Sequence, residues 1–101
     1  MKDQITIVAR RWFQKTGGNT YHSCEVYVNG EMVGRAPYTY GYGEHYLQTA
    51  LEIMQNAGVR EKTDRRANGM GEDYLDFRDD MQDHRDKFVV TCTDVTRKRD
   101  L

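Results

Sequence analysis

Glu44 and His45 stand side by side near the middle of the chain, and a carboxylate beside an imidazole is a pairing that general acid–base catalysis uses. The pattern that follows them predicts that both begin a helix. Neighbouring helix residues point about 100° apart, so the two groups are poorly placed to act on one atom. The sequence contains neither a nucleophile elbow nor a paired metal-ligand motif. We therefore expect a protein that is not an enzyme.

Acidic residues are concentrated between residues 72 and 86, where only Arg78 and Arg85 offset them. Carboxylates three and four positions apart lie next to one another along a helix. Such a row can bind the arginine and lysine side chains of a protein partner in the way that phosphates do. The alternative is a solvated helix face. The candidate protein-binding carboxylates are Asp76, Asp79, Asp80 and Asp83.

Residues 10–15, with the sequence RRWFQK, combine cations with aromatic rings. Single-stranded nucleic acid is held by this combination, through phosphate contacts and base stacking. The residues of this second hypothesis are Arg10, Arg11, Trp12 and Lys15. In the alternative, Trp12 and Phe13 point to opposite faces of a strand, one of them into the core, and the arginines are solvated. The formal net charge of -1 lends nucleic-acid binding no support, so it ranks second.

The cysteines and histidines do not have metal-ligand spacing. A zinc site needs clustered ligands, whereas His22, His45 and His84 stand far apart in the sequence. Cys24 and Cys92 fall in predicted strands at positions where the alternation points their side chains inward, as expected of reduced, buried cysteines. A site formed across strands by His22, Cys24 and Cys92 is the remaining metal option. We expect no metal and no cofactor.

Length and composition limit the other possibilities. A chain of 101 residues has the size of one domain, which we predict to span residues 1–101. Charged residues make up 31% of the chain, yet their signs nearly balance, so no overall field favours nucleic acid or a membrane. No apolar run approaches the length of a membrane span, and the N-terminus lacks the apolar core of a signal peptide. We therefore predict a cytoplasmic protein.

Three strands are predicted in the first part of the chain, within residues 5–13, 21–28 and 32–36. The second alternates well, with Cys24, Val26 and Val28 on one face. Asn29-Gly30 is the sequence of a tight hairpin turn, so the third strand should return antiparallel to the second. A fourth strand, rich in β-branched residues, is predicted over residues 87–96.

Two helices are predicted between the third and fourth strands. The first covers residues 44–57 and has an apolar stripe formed by Leu47, Ala50, Leu51 and Met54. The second covers residues 72–86 and has only a narrow apolar line, formed by Leu75, Phe77 or Arg78, and Met81. Residues 59–71 are predicted to be a mobile loop and residues 97–101 a frayed tail.

These elements predict an α+β fold, an antiparallel sheet of about four strands in the chain order β-β-β-α-α-β, with one main helix packed on one face. The opposite face would carry aromatic side chains, among them Trp12, Tyr21 and Tyr27. Exposed aromatics clustered on a sheet indicate a protein partner, a second layer or a homodimer. In the alternative, the second helix folds back and covers them.

Two resemblances extend this interpretation. Four segments resemble small proteins of bacteriophage and prokaryotic genomes, namely RRWFQK at 10–15, GNTYHS at 18–23, YGYG at 40–43 and YLQTA at 46–50. This resemblance covers about the first half of the chain and implies an accessory protein of a mobile element, such as an inhibitor of host defence acting in the host cytoplasm.

The second resemblance lies in residues 24–34 and the corner and helix that follow. They are similar to the strand-strand-strand-helix half of double-stranded-RNA-binding domains. That family carries phosphate-holding lysines at the start of this helix, where this chain carries Glu44 and His45.

The residues together predict a non-enzymatic protein-binding module. Its contact surfaces would be the acidic helix, facing a partner with a basic patch, and the aromatic sheet face around Trp12, Tyr21 and Tyr27. Nucleic-acid binding through a basic and aromatic sheet face is the second hypothesis. No membrane partner is expected, and a homodimer is a further option.

Overall fold

A computed structural model describes residues 3–62 and 72–101, so residues 63–71 of the predicted mobile loop lie outside the described residues. The described residues form an α+β fold, which confirms the predicted class. The strands are β1 (Ile5–Gln14), β2 (Asn19–Val28), β3 (Glu31–Tyr40) and β4 (Phe88–Val95). The helices are α1 (His45–Asn56) and α2 (Glu72–Asp83), and short 3₁₀ turns span Arg85–Lys87 and Lys98–Asp100.

The four strands form one sheet in the order β3-β2-β1-β4. β1 pairs antiparallel with β2, and β2 pairs antiparallel with β3, as predicted. β4 pairs parallel with β1, so the prediction of a purely antiparallel sheet was wrong. The physical reason is the long crossover between β3 and β4. It returns the chain to the end of the sheet where β1 begins, and Phe88 there pairs with Ile5.

The turn between β2 and β3 has the geometry that Asn29-Gly30 predicts. Both residues have positive φ, 53° for Asn29 and 85° for Gly30, the conformation that a type I′ hairpin requires. The Asn29 side chain also accepts a hydrogen bond from the Gln4 backbone N–H at 2.9 Å. The turn is thereby tied to the residue just before β1.

α1 packs on one face of the sheet, here called the helix face. Its predicted stripe is confirmed, because Leu47, Ala50, Leu51 and Met54 are all buried. They meet the inward side chains of the central strands, Ile5, Ile7, Cys24 and Val26. Gly34 on β3 permits a close approach, since a Cβ there would lie 2.5 Å from Cγ2 of Ile53.

α2 joins the same core, so the prediction of one main helix was wrong. Its buried residues are Tyr74 and Phe77, and Met81 packs partly buried against the core. The Phe77 ring lies 6.0 Å from the Phe88 ring, centroid to centroid. Leu75 is 39% exposed, which corrects its predicted place in the apolar line. Tyr74, Phe77 and Met81 lie at i, i+3 and i+7, which places them on one side of the helix.

No helix among the described residues is long and apolar enough to cross a membrane.

Candidate functional site

The face of the sheet opposite the two helices carries the largest group of exposed aromatic side chains. Since the buried residues of α1 and α2 belong to one cluster with the inward residues of the sheet, α2 does not cover this opposite face. We call it the open face. Trp12 on β1 pairs with Tyr21 on β2, and Tyr21 pairs with Tyr40 on β3, so residues from three strands meet there.

Four side chains form an aromatic row across the open face: Trp12, Tyr21, Tyr38 and Tyr40. The Tyr21 ring stacks on the Trp12 ring at 5.9 Å and on the Tyr38 ring at 4.7 Å, between centroids. Tyr40 meets Tyr21 edge-on at 5.7 Å. Tyr38 and Tyr40 remain 43% and 58% exposed. The row is therefore a packed structure that still presents much of its surface to solvent.

Tyr38 lies two residues from Tyr40 on β3 and shares the open face with it by ordinary alternation, next to an irregularity in the strand. His22 pairs with Thr39 and Cys24 pairs with Ala36, so two residues of β3, Pro37 and Tyr38, stand opposite one residue of β2. Such a bulge re-aims the side chains around it. The alternation of β2 places Tyr21 on the open face, but it does not reveal that Tyr38 stacks on it.

The C-terminal segment reaches the aromatic row from the far edge of the sheet. It follows β4, whereas Tyr38 belongs to β3 at the opposite edge, three strand spacings or about 14 Å away. Lys98 Nζ nevertheless lies 4.6 Å from the centroid of the Tyr38 ring, a cation–π contact. Residues 96–98 therefore carry the chain from the β4 edge towards β3, and Arg97 and Asp100 are paired at 3.6 Å within the turn that follows.

Tyr27, the third predicted aromatic contact, lies on the open face but away from the row. It is six residues from Tyr21 along β2, or about 20 Å. Its hydroxyl donates to Glu25 at 3.4 Å, and Glu25 is also paired with Arg35 at 3.2 Å. Tyr27 thus belongs to a separate polar cluster.

The structure divides the residues predicted to bind nucleic acid between the two faces of the sheet. Arg10 and Trp12 share the open face, and Lys15 is exposed in the turn after β1. Arg11 lies on the helix face, where its Nε donates to Asp94 at 2.9 Å and its Nη1 donates to the Gly43 carbonyl at 2.8 Å. Phe13 is also on that face and is 54% exposed, so it does not enter the core.

The predicted acidic helix presents four exposed carboxylates along its outer side: Glu72, Asp76, Asp79 and Asp83. Their spacing of four, three and four residues keeps them in one line of about 16 Å, opposite the buried side of α2. We call this line the acidic ridge. Asp80 is not part of it, because Asp80 accepts a hydrogen bond from Arg60 Nη1 at 2.9 Å. Arg60 also lies over the Phe77 ring, 5.1 Å from its centroid, so Asp80 takes part in packing α2.

A buried polar network lies beneath the corner between β3 and α1. His22 is 0% exposed, its Nε2 lies 2.7 Å from the Thr49 hydroxyl, and its Nδ1 lies 3.3 Å from the Gly41 carbonyl. The His45 ring lies 5.5 Å from the His22 ring. Sequence reasoning considered His22 only as a metal ligand. The missed signal for this hydrogen bond was Thr49, a polar residue buried one turn beyond the start of α1.

The two cysteines lie on the helix face with one strand between them. Both Cys24 and Cys92 pair with Ala9, so their Cα atoms are two strand spacings apart, about 10 Å. This exceeds the roughly 7 Å that a disulfide can span. Burial raises the pKa of Cys24 to about 12. Within residues 3–62 and 72–101, no group of three or more potential ligands could hold a metal ion.

His22 gives a testable pH dependence. Burial lowers its pKa below the ordinary value of 6.5, the hydrogen bond to Gly41 opposes this, and nearby His45 adds to it. Above pH 6.5 both the folded and the unfolded chain hold His22 neutral. Below it the unfolded chain takes up a proton that the folded chain does not, so the free energy of unfolding falls by about 1.4 kcal/mol per pH unit until the lowered pKa is reached.

Urea unfolding at pH 7.5 and pH 5.0 measures this effect. The wild type should lose more stability between the two values than His22→Gln, which cannot titrate. Phe13→Ala, which changes an exposed side chain that does not titrate, should lose as much as the wild type. An equal loss in wild type and His22→Gln would contradict the account.

Comparison with known proteins identifies no family for this chain. No protein-family model, no curated protein and no solved structure matches the chain. The functional interpretation therefore rests on the aromatic row, the acidic ridge and the corner between β3 and α1.

Proposed function

We propose that this domain binds another protein and that the aromatic row is its main contact surface. The observation that supports this proposal best is the exposure of Tyr38 and Tyr40 on a face that neither described helix covers. Clustered exposed aromatics of this kind are typical of protein interfaces, where tyrosine and tryptophan are enriched among the few residues that contribute most of the binding energy. The stacking within the row holds the rings in place before binding, which reduces the entropy that binding would cost.

The geometry of the row favours a protein over single-stranded nucleic acid. Bases bind proteins by stacking on the faces of aromatic rings. Here Tyr21 lies between Trp12 and Tyr38, and Lys98 lies over the Tyr38 ring. The ring faces of Tyr21 and Tyr38 are therefore engaged within the molecule, which leaves the row fewer free faces on which bases could stack.

The acidic ridge is a second proposed contact surface. It lies on the outer side of α2, on the opposite side of the molecule from the row, and would meet a basic patch on a protein. Charge complementarity of this kind sets the encounter rate and the register more than the affinity. The resemblance to bacteriophage proteins supplies the proposed setting, a phage-encoded inhibitor or accessory protein in the host cytoplasm.

Affinity capture from nuclease-treated bacterial lysate tests the proposal. Tyr38→Ala should weaken retention of the captured protein by about 10-fold or more, as expected of a hot-spot aromatic. Phe13→Ala is the matched control, because Phe13 is similarly exposed but lies on the helix face. The triple change of Asp76, Asp79 and Asp83 to asparagine should slow capture and remove its salt dependence while leaving the fold intact.

The same experiment can contradict the proposal. Equal retention by wild type, Tyr38→Ala and Phe13→Ala would exclude the row as the contact surface. Retention of a partner by the triple variant at unchanged rate and salt dependence would show that the ridge is only a solvated face.

Nucleic-acid binding is the second candidate function, favoured by the contact of Lys98 with the Tyr38 ring and by the exposed Arg97 and Arg99 on either side of Lys98 in the sequence. Few cations are available there, so we expect binding to be weak and strongly dependent on salt. Tight binding of single-stranded DNA or RNA at physiological salt, lost in Trp12→Ala, would reverse the ranking of the two functions.

A further inference from the structure

A groove of about 350 Å³ lies where the open face meets the start of α1. Its wall is formed by three tyrosines, Tyr40, Tyr42 and Tyr74, and by three polar side chains, those of Glu44, His45 and Gln48. We call it the tyrosine groove. Tyr40 belongs both to the groove and to the aromatic row, so the two surfaces are continuous. Tyr42 is 74% exposed and forms its outer edge.

The floor of the groove is held in place by the buried network. The Gly41 backbone N–H donates to the Thr20 carbonyl at 3.0 Å, and the Gly41 carbonyl lies 3.3 Å from His22 Nδ1. His45 packs directly on Gly41, because a Cβ at Gly41 would lie 2.5 Å from Cγ of the His45 ring. The groove is therefore formed before any ligand arrives, as small binding sites generally are.

The charge and chemistry of the lining favour a cation. Glu44 is an exposed carboxylate, and neither lysine nor arginine is among the lining residues of this groove. Burial and the nearby Glu44 carboxylate raise the pKa of the Tyr74 hydroxyl, and Arg78, one turn further along α2, opposes the effect of Glu44. The positive end of α1 is partly neutralised, since the His45 and Leu47 amides donate to the carbonyls of Tyr42 and Glu44.

We propose that the tyrosine groove binds an arginine side chain of the protein partner. Tyrosine rings attract cations through their negative faces, and a planar guanidinium can stack on a ring while it donates hydrogen bonds to a carboxylate. The three tyrosines supply rings and Glu44 supplies the carboxylate. This inference rests on the proposed protein-binding function, and it gives the partner a specific chemical feature at the edge of the aromatic row.

A titration of the full chain with two small probes tests the inference. N-acetyl-arginine amide carries the guanidinium, and N-acetyl-citrulline amide has the same shape without the charge. NMR should show the arginine probe shifting the ring resonances of Tyr42 and His45, with an affinity at least about 10-fold above that of the citrulline probe. Glu44→Gln and Tyr42→Ala should each weaken the arginine probe several-fold, whereas Phe13→Ala should not.

Equal shifts from both probes, or no shift of the groove resonances by the arginine probe, would overturn the inference. The outcome is separable from that of the proposed function. Loss of protein capture in Tyr38→Ala without any preference for the arginine probe would support the row as the interface and contradict the arginine site in the groove. A clear preference for the arginine probe without any effect of Tyr38→Ala on capture would support the arginine site in the groove and contradict the row as the contact surface.

Discussion

Phe77→Ala is expected to lower the free energy of unfolding by about 3–5 kcal/mol, as truncation of a large buried aromatic does. The Phe77 side chain is 0% exposed and belongs to the core cluster that α2 shares with the sheet. One side of its ring meets Phe88 at the start of β4, and Arg60 lies over it. Removing the ring leaves a cavity and also takes away the support of the Arg60–Asp80 ion pair.

Urea unfolding followed by far-UV circular dichroism measures this loss. Leu75→Ala is the matched control, because Leu75 lies on the same helix but is 39% exposed, and it should cost less than about 1 kcal/mol. A cost for Phe77→Ala no greater than that for Leu75→Ala would contradict the packing of α2 in the core. In that case the alternative in which α2 covers the open face would have to be considered again.

Leu51→Asp is expected to cost several kcal/mol and to unfold much of the protein at 37 °C. Leu51 is 5% exposed, in the middle of the α1 stripe that meets the sheet. An unpaired carboxylate there would lose its hydration without gaining a partner, and the carboxylate would bind a proton or the helix would detach. Burying a charge in this way is among the few mechanisms that give such large effects.

The thermal midpoint of Leu51→Asp should therefore fall far below that of the wild type. Asn56→Asp places the same charge on an exposed position of the same helix and should change the midpoint only slightly. An unchanged midpoint in Leu51→Asp would mean that this side of α1 faces water.

The elements that depend on local chemistry could be predicted from the sequence. Asn29-Gly30 specifies its turn by itself, because few other residues adopt positive φ at two successive positions. The stripe through Leu47, Leu51 and Met54 is wide and regular enough to give both the helix and its buried side. The alternation of residues along β2 predicted an aromatic open face, because it placed Tyr21 on the other face of the sheet from Cys24 and Val26.

What could not be predicted depends on contacts between distant parts of the chain. Nothing in residues 88–95 encodes whether the strand runs parallel or antiparallel to β1, since the direction is set by the crossover. The narrow apolar line of α2 was assigned to Leu75 instead of Tyr74, because a tyrosine has an apolar body with a polar tip and does not stand out as a core residue. The contact of Lys98 with Tyr38 and that of His22 with Thr49 each join residues with no shared local pattern.

The central claim, that the aromatic row contacts a protein, is tested most directly by photo-crosslinking from within it. Benzoylphenylalanine at position 40 replaces one exposed aromatic ring by another, and the same group at position 13 serves as the control on the helix face. After irradiation in bacterial cells, position 40 should give a discrete protein adduct that survives nuclease treatment, and position 13 should not. Adducts of equal yield from both positions, or an adduct at position 40 that nuclease destroys, would contradict the claim.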